Sequence, residues 1–167
     1  LWTLNIILPV GISFYTFQTM SYSIDIYYGK LKPTRDLIAF ATFVSFFPQL
    51  VAGPIERASN LLPQIVNTRK FNYNQSVLGM RLILWGLFKK VVIADSLAPM
   101  VDGIFNKYYV LDGGTLILGV IYFSFQIYCD FSGYSDIAIG TSKLFGFELM
   151  SNFKFPYFSR DIGEFWR

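Results

Sequence analysis

Histidine is absent from the 167 residues. Without it no serine-histidine triad, no imidazole general base and few catalytic zinc sites can be assembled. A single cysteine, Cys129, excludes an intramolecular disulfide framework and a multi-cysteine zinc site within this stretch. Its expected role is that of a small buried hydrophobe. Charge is also scarce, at 15% of residues against roughly 25% in soluble domains. The net charge of +3 is scattered through connecting segments, with no basic run that could track phosphates, so nucleic acid is not an expected partner. Gly113 and Gly114 lack a following Lys-Ser or Lys-Thr, which excludes a phosphate loop.

Apolar residues fill the space. They make up 53% of the chain, with eighteen Phe, eleven Tyr and three Trp, more aromatic surface than a soluble core of this size needs. The bilayer is the expected solvent. The chain opens on Leu1 and stops on Arg167 within an aromatic and basic run, so residues 1–167 are expected to be one membrane-embedded piece of a larger domain, truncated at both ends.

Four apolar elements can be traced. Leu1 to Ile24 carries no charge and is long enough to cross a hydrocarbon core of roughly 30 Å, with Pro9 and Gly11 predicting a kink or break. Asp25 ends it, Tyr27 and Tyr28 offer interface anchors, and a basic turn follows. Leu37 to Ile55 is uncharged, but Pro48, Gly53 and Pro54 crowd its end, so a span that unwinds and a re-entrant segment fit equally. The polar loop from Arg57 to Asn74 is expected at the surface. Ser76 to Phe105 mixes an apolar helix with Arg81, Lys89, Lys90 and Asp95; near one face, Arg81 and Lys89 suggest a helix lying in the interface, or one packed inside a bundle with its lysines snorkelling, with an interfacial or tilted helix set against a plain span. Thr115 to Cys129 is the fourth, and Asp130 to Gly140 continues it with polar and small residues.

Two constellations could carry chemistry. Asp130 and Asp136 lie six residues apart, about 120° around a helix, so they should not converge as an acid and base pair. They read either as a polar lining inside the membrane or as caps just outside it. The string PQLVAGPIER, Pro48 to Arg57, sets Glu56 and Arg57 behind two prolines and a glycine. This is either a cavity wall or an interfacial turn with an exposed ion pair.

Several strings in order resemble the membrane-bound O-acyltransferase family, in the branch of alginate O-acetylation membrane proteins, with D-alanyl transfer proteins of teichoic acid synthesis more distant. They are PVGISFYTFQTMSYSIDIYYG from Pro9, FFPQLVAGPIER from Phe46, GLFKKVVIAD from Gly86, IYCDFSGYSDIAIG from Ile127 and FPYFSRDIGEFWR from Phe155. The resemblance implies an all-α, polytopic integral membrane helix bundle with a central funnel, of which this stretch supplies about four embedded elements with broken or re-entrant segments. It implies O-acyl transfer, expected to be O-acetyl transfer, to hydroxyls of an extracytoplasmic polysaccharide such as alginate. The donor would be acetyl-CoA or an acylated carrier, with no bound cofactor or metal. Membrane lipid and extracytoplasmic acetyltransferase proteins would be partners, and the bacterial inner membrane the location, crossed several times.

The family's histidine follows an FWR-type motif, which sets it just beyond Arg167, so no catalytic residue falls within this stretch and the stretch alone is expected to be inactive. Supporting or funnel-lining candidates are Gln126, Asp130, Tyr134, Ser135 and Asp136, with Glu56 and Arg57 at the other wall and Glu164, Trp166 and Arg167 in the terminal motif. Asp161 and Gly163 stand where neutral residues of better helix propensity are expected. The rival readings are a transporter or channel segment, which shares broken helices and buried carboxylates, and a noncatalytic membrane scaffold.

Overall fold

The computed structural model describes residues 11–49, 53–54, 56–152 and 156–165. It is all-α: α1 is Ile12–Tyr27, α2 Leu37–Val44, α3 Ala58–Val66, α4 Tyr73–Leu87, α5 Asp95–Phe105, α6 Gly113–Leu144 and α7 Ile162–Phe165. A π-helical segment, Phe88–Ala94, joins α4 to α5 without a break, and short 3-10 turns stand at Phe47–Gln49 and Pro156–Phe158.

The helix boundaries follow local chemistry. The Asp36, Asn72 and Asp112 side chains accept backbone N–H bonds from Ala39, Gln75 and Thr115, capping α2, α4 and α6. At the far end of α6, Gly146 takes φ 78° while Phe147 N–H bonds Ser142 O and Gly146 N–H bonds Lys143 O. Only a residue without Cβ enters that left-handed turn cheaply, and the paired bonds satisfy the last carbonyls.

The sequence pattern set α6 out correctly: it contains no breaker between Thr115 and Leu144, and one helix carries both the apolar stretch and its polar continuation. At about 48 Å it exceeds the hydrocarbon thickness of roughly 30 Å, and among the described residues it alone is long and apolar enough to cross a membrane. The second stretch is different. Its helix stops at Val44 after eight residues, about 12 Å, and gives way to the turn around Pro48. At this length it is not a full span that then unwinds. Of the first stretch, Leu1 to Val10 with Pro9 lies outside the described residues; Asp25 falls inside the last turn of α1 and is buried, while Tyr27 and Tyr28 are exposed.

The helix from Tyr73 to Phe105 packs antiparallel along α6, as expected of a helix inside a bundle. Glycines make this possible. A Cβ on Gly86 would stand 2.5 Å from Gly133 O, and one on Gly140 would stand 2.5 Å from Gly79 O. Gly79 and Gly86, like Gly133 and Gly140, are seven residues apart, so both glycines of each helix return to one face and backbone meets backbone. The outward faces carry Leu84, Trp85, Phe88, Ile117, Phe125 and Ile127, all exposed. Small inside and large apolar outside is the pattern of helices solvated by lipid or further helices.

The shorter helices form a second cluster. Phe43, Ala58 and Leu61 are fully buried at its centre. Tyr22 lies 4.9 Å from Phe40, Phe46 lies 4.8 Å from Phe147 edge-on, and Ile139 brings α6 into the same core. Glu148 ties the regions together: its backbone exchanges two hydrogen bonds with the Gln64 side chain, and its carboxylate accepts from Gln75 and Lys143.

Candidate functional site

The polar residues of α6 meet two lysines on the π segment. Lys89 Nζ lies 2.6 Å from Asp136 Oδ2 and donates to Ser132 Oγ at 3.0 Å. Lys90 Nζ lies 2.7 Å from Asp95 Oδ1 and 2.6 Å from Asp130 Oδ1. The Asp130 contact is an ion pair without the alignment of a hydrogen bond. Lys90 and Asp95 are five residues apart, neighbours across a π turn but not across an α turn, where positions three and four residues on are adjacent.

The two aspartates therefore do not converge, as their 120° separation requires; each takes its own lysine. They sit about 26 and 35 Å along α6 from Gly113, within the helix and not at its cap. The lysines do not snorkel. Arg81 is exposed and Lys89 buried, because eight residues overshoot two full turns by about 80°.

Ser132 was not singled out in the sequence, nor were Lys89 and Lys90 as partners of the aspartates. The available signal was two adjacent lysines inside an apolar helix, with Asp95 five residues later, facing a second helix that carries Asp130 and Asp136.

The other expected site residues divide. Gln126 stands one turn before Asp130 on the same face, and its Oε1 is buried with no donor among the described residues. Ser135 is buried and accepts a long hydrogen bond of 3.4 Å from Asn152 Nδ2. Tyr134 is exposed and turns away from the buried face. Glu56 is 1% exposed and accepts hydrogen bonds from Asn60 Nδ2 and Met150 N–H, the latter at 2.8 Å. Arg57 faces outward. The neighbouring acid and base are thus not an exposed ion pair: Glu56 belongs to the short-helix cluster, and among the described residues nothing joins it to the lysine and aspartate ladder. Burial and two donors hold its carboxylate.

Glu164 is a local cap. Its Oε2 accepts from Arg160 N–H at 2.8 Å, and its own N–H donates to Asp161 Oδ1 at 2.7 Å. This explains Asp161 ahead of the motif: it starts α7. Trp166 and Arg167 lie outside the described residues. The segment before them is anchored beside the ladder, because Tyr157 Oη donates to Ser124 O at 2.7 Å and its ring packs 5.5 Å from that of Tyr128. Tyr128 stands one turn before Ser132 on α6, whereas Gln126 and Asp130, two residues away on either side, lie across the helix from it.

Comparison with known proteins bears on what such a ladder serves. The profile of the membrane-bound O-acyltransferase family matches residues 34–167. A protein of Azotobacter vinelandii named "Probable alginate O-acetylase AlgI" is 46% identical over 98% of this chain and 32% of its own length. The peptidoglycan O-acetyltransferase of Helicobacter pylori is 39% identical over 99% of the chain and 36% of its own length. The teichoic acid D-alanyltransferase of Streptococcus thermophilus is 32% identical over 94% of the chain and 39% of its own length. The chain thus spans about a third of the length of the curated relatives it matches. With most of its residues inside the family profile, the chain belongs to the membrane-bound O-acyltransferase family.

Proposed function

We propose that the protein containing this chain transfers an acetyl group to hydroxyls of an extracytoplasmic polysaccharide such as alginate. The docking of the terminal segment carries this reading: Tyr157 fixes it against Ser124 and Tyr128, the latter one turn before Ser132, to which Lys89 donates. A histidine following Arg167 would then enter from this side as general base, taking the proton of the acceptor hydroxyl as its oxygen attacks the acyl carbonyl. Gln126 presents an acceptor oxygen that has no donor among the described residues, suited to orienting the acceptor hydroxyl or the imidazole N–H. Lys90, held between Asp95 and Asp130, fixes the position of the Asp130 carboxylate. The donor is acetyl-CoA or an acylated carrier, the partners are extracytoplasmic acetyltransferase proteins, and the location is the bacterial inner membrane, crossed several times by the whole protein. Names of relatives acting on alginate and peptidoglycan support the acetyl group and the polysaccharide.

The test is acetyl ester content of the polysaccharide in cells carrying the intact gene. Asp130→Asn should lower it at normal protein level, while Asp95→Asn, which touches the same lysine without belonging to α6, should lower it less. Equal and unaltered acetylation in both variants would remove Asp130 from the reaction. Unaltered acetylation on changing the histidine after Arg167 would remove the proposed base.

A further inference from the structure

A cavity of about 550 Å³ opens away from the ladder, where residues 65–72 and the start of α4 meet the end of α6 at residues 143–146. Its lining includes Arg69, Lys70 and Lys143 and no acidic residue. Arg69 is fixed in position: its guanidinium lies 4.1 Å over the Phe147 ring, and Nη1 donates to the carbonyls of Gln64 and Ile65. Those partners are neutral, so its positive charge is oriented but not cancelled. Lys143 is paired with Glu148, which stands outside the lining. Lys70 makes no ion pair among the described residues.

The rim is apolar. Val66, Phe71 and Phe145 line the cavity and are all exposed, Phe71 to 80%. α6 is longer than the hydrocarbon layer is thick, so its end bearing Lys143 is long enough to reach headgroup level. Fixed cations beside exposed aromatic rings at that level match a molecule with an anionic head and an apolar body.

We propose that this cavity binds an anionic phospholipid, its phosphate between Arg69, Lys70 and Lys143 and its first acyl carbons against Phe71 and Phe145. The lipid would sit where α3, α4 and α6 converge and so clamp the short-helix cluster to the helix pair. A soluble phosphate shares the head chemistry but has no use for the apolar rim.

The test uses the full-length protein in phosphatidylcholine nanodiscs containing a minority of phosphatidylglycerol, with retained lipids counted by native mass spectrometry. Wild type should retain phosphatidylglycerol in excess of its share. Lys70→Gln should reduce that excess about fivefold, and Lys70→Gln with Lys143→Gln further, from the attraction ordinarily exerted by each such lysine. Arg81→Gln, outside the cavity, should leave the excess unchanged. An excess unaffected by Lys70→Gln would overturn the proposal, as would displacement of the lipid by millimolar inorganic phosphate, which would assign the cavity to a soluble phosphate.

Discussion

The helix pair and the short-helix cluster are held together by opposite means. Between α6 and the helix running from Tyr73 to Phe105, the buried residues include Gly79, Gly86, Gly133, Gly140, Ser132 and Lys89 beside Ala94, Val101, Cys129 and Ala138, and most of the large apolar side chains face out. In the cluster of α1, α2 and α3, Phe43, Leu61 and Leu62 face in, as they would in a soluble core. Where the surroundings are as apolar as the side chains, burying Leu against Leu gains little. The pair therefore associates through backbone approach and charge. The cluster packs by shape, yet it hides Gln18 and Gln49, neither of whose amides has a hydrogen-bond partner among the described residues. Among the described residues Gln126 Oε1 of the pair is in the same position, and each such group costs about 1–3 kcal/mol.

The comparison breaks first at the glycines. Gly86→Val places carbon where Gly133 O stands 2.5 Å from the ideal Cβ position. The two helices must separate, and thermal unfolding of the purified full-length protein should show a loss of about 3 kcal/mol or more. Gly103→Ala on α5, where a Cβ meets nothing within 4 Å, should be neutral or gain up to about 1 kcal/mol. Equal losses at both positions would mean that helix propensity, not close approach, governs the pair.

Charge in the pair comes next. Lys89→Met leaves Asp136 without its partner in a region where the lysine side chain is 9% exposed, an expected loss of about 3–5 kcal/mol. Adding Asp136→Leu should return most of it, because an apolar pair of similar volume removes the stranded charge. A double variant no better than the single would show that the lysine acts through Ser132 and packing, not through the aspartate.

The cluster offers the matching cut. Glu56→Leu deprives the Met150 N–H and the Asn60 amide of their acceptor, with an expected loss of about 1–3 kcal/mol. Hydrogen exchange should report it as faster opening of residues 147–150 and α3, with the helix pair unaffected. Exchange rising equally in α6 would mean the two regions open as one unit.

The smallest effect lies at the exposed start of α6. Hydrogen bonds from the Thr115 hydroxyl and then from its backbone N–H hold the Asp112 carboxyl below its usual value of 3.8. A lowered value in the folded state means that the cap contributes fully above pH 3.8 and loses that contribution as pH falls through the folded value. Exchange protection of residues 113–116 should decline over that acid range in wild type. Asp112→Asn should retain capping and lose the pH dependence. A decline persisting in the Asn variant would place its cause elsewhere in the chain.

Much of the site and fold was legible in local patterns. The helical period alone separated Asp130 from Asp136, and the absence of a breaker carried α6 through its polar half. The crowding of Pro48, Gly53 and Pro54 foretold the unwound end of the second stretch. Neighbourhood across the chain was not legible. Glu56 and Arg57 are adjacent in sequence and divergent in space because Met150, far along the chain, captures only one of them. Glu164 had the same residue type as a funnel carboxylate, but Asp161 three residues earlier makes it a cap.

By itself the sequence determined the all-helical class, the need for a nonaqueous neighbour and the family, because these depend on composition, period and the order of short motifs. The tertiary structure decided that Lys89 and Lys90 face the aspartates through a π segment, and that two glycines on each helix meet backbone to backbone. Both depend on the register between helices remote in sequence, where close approach and paired charges fix positions that no local preference encodes.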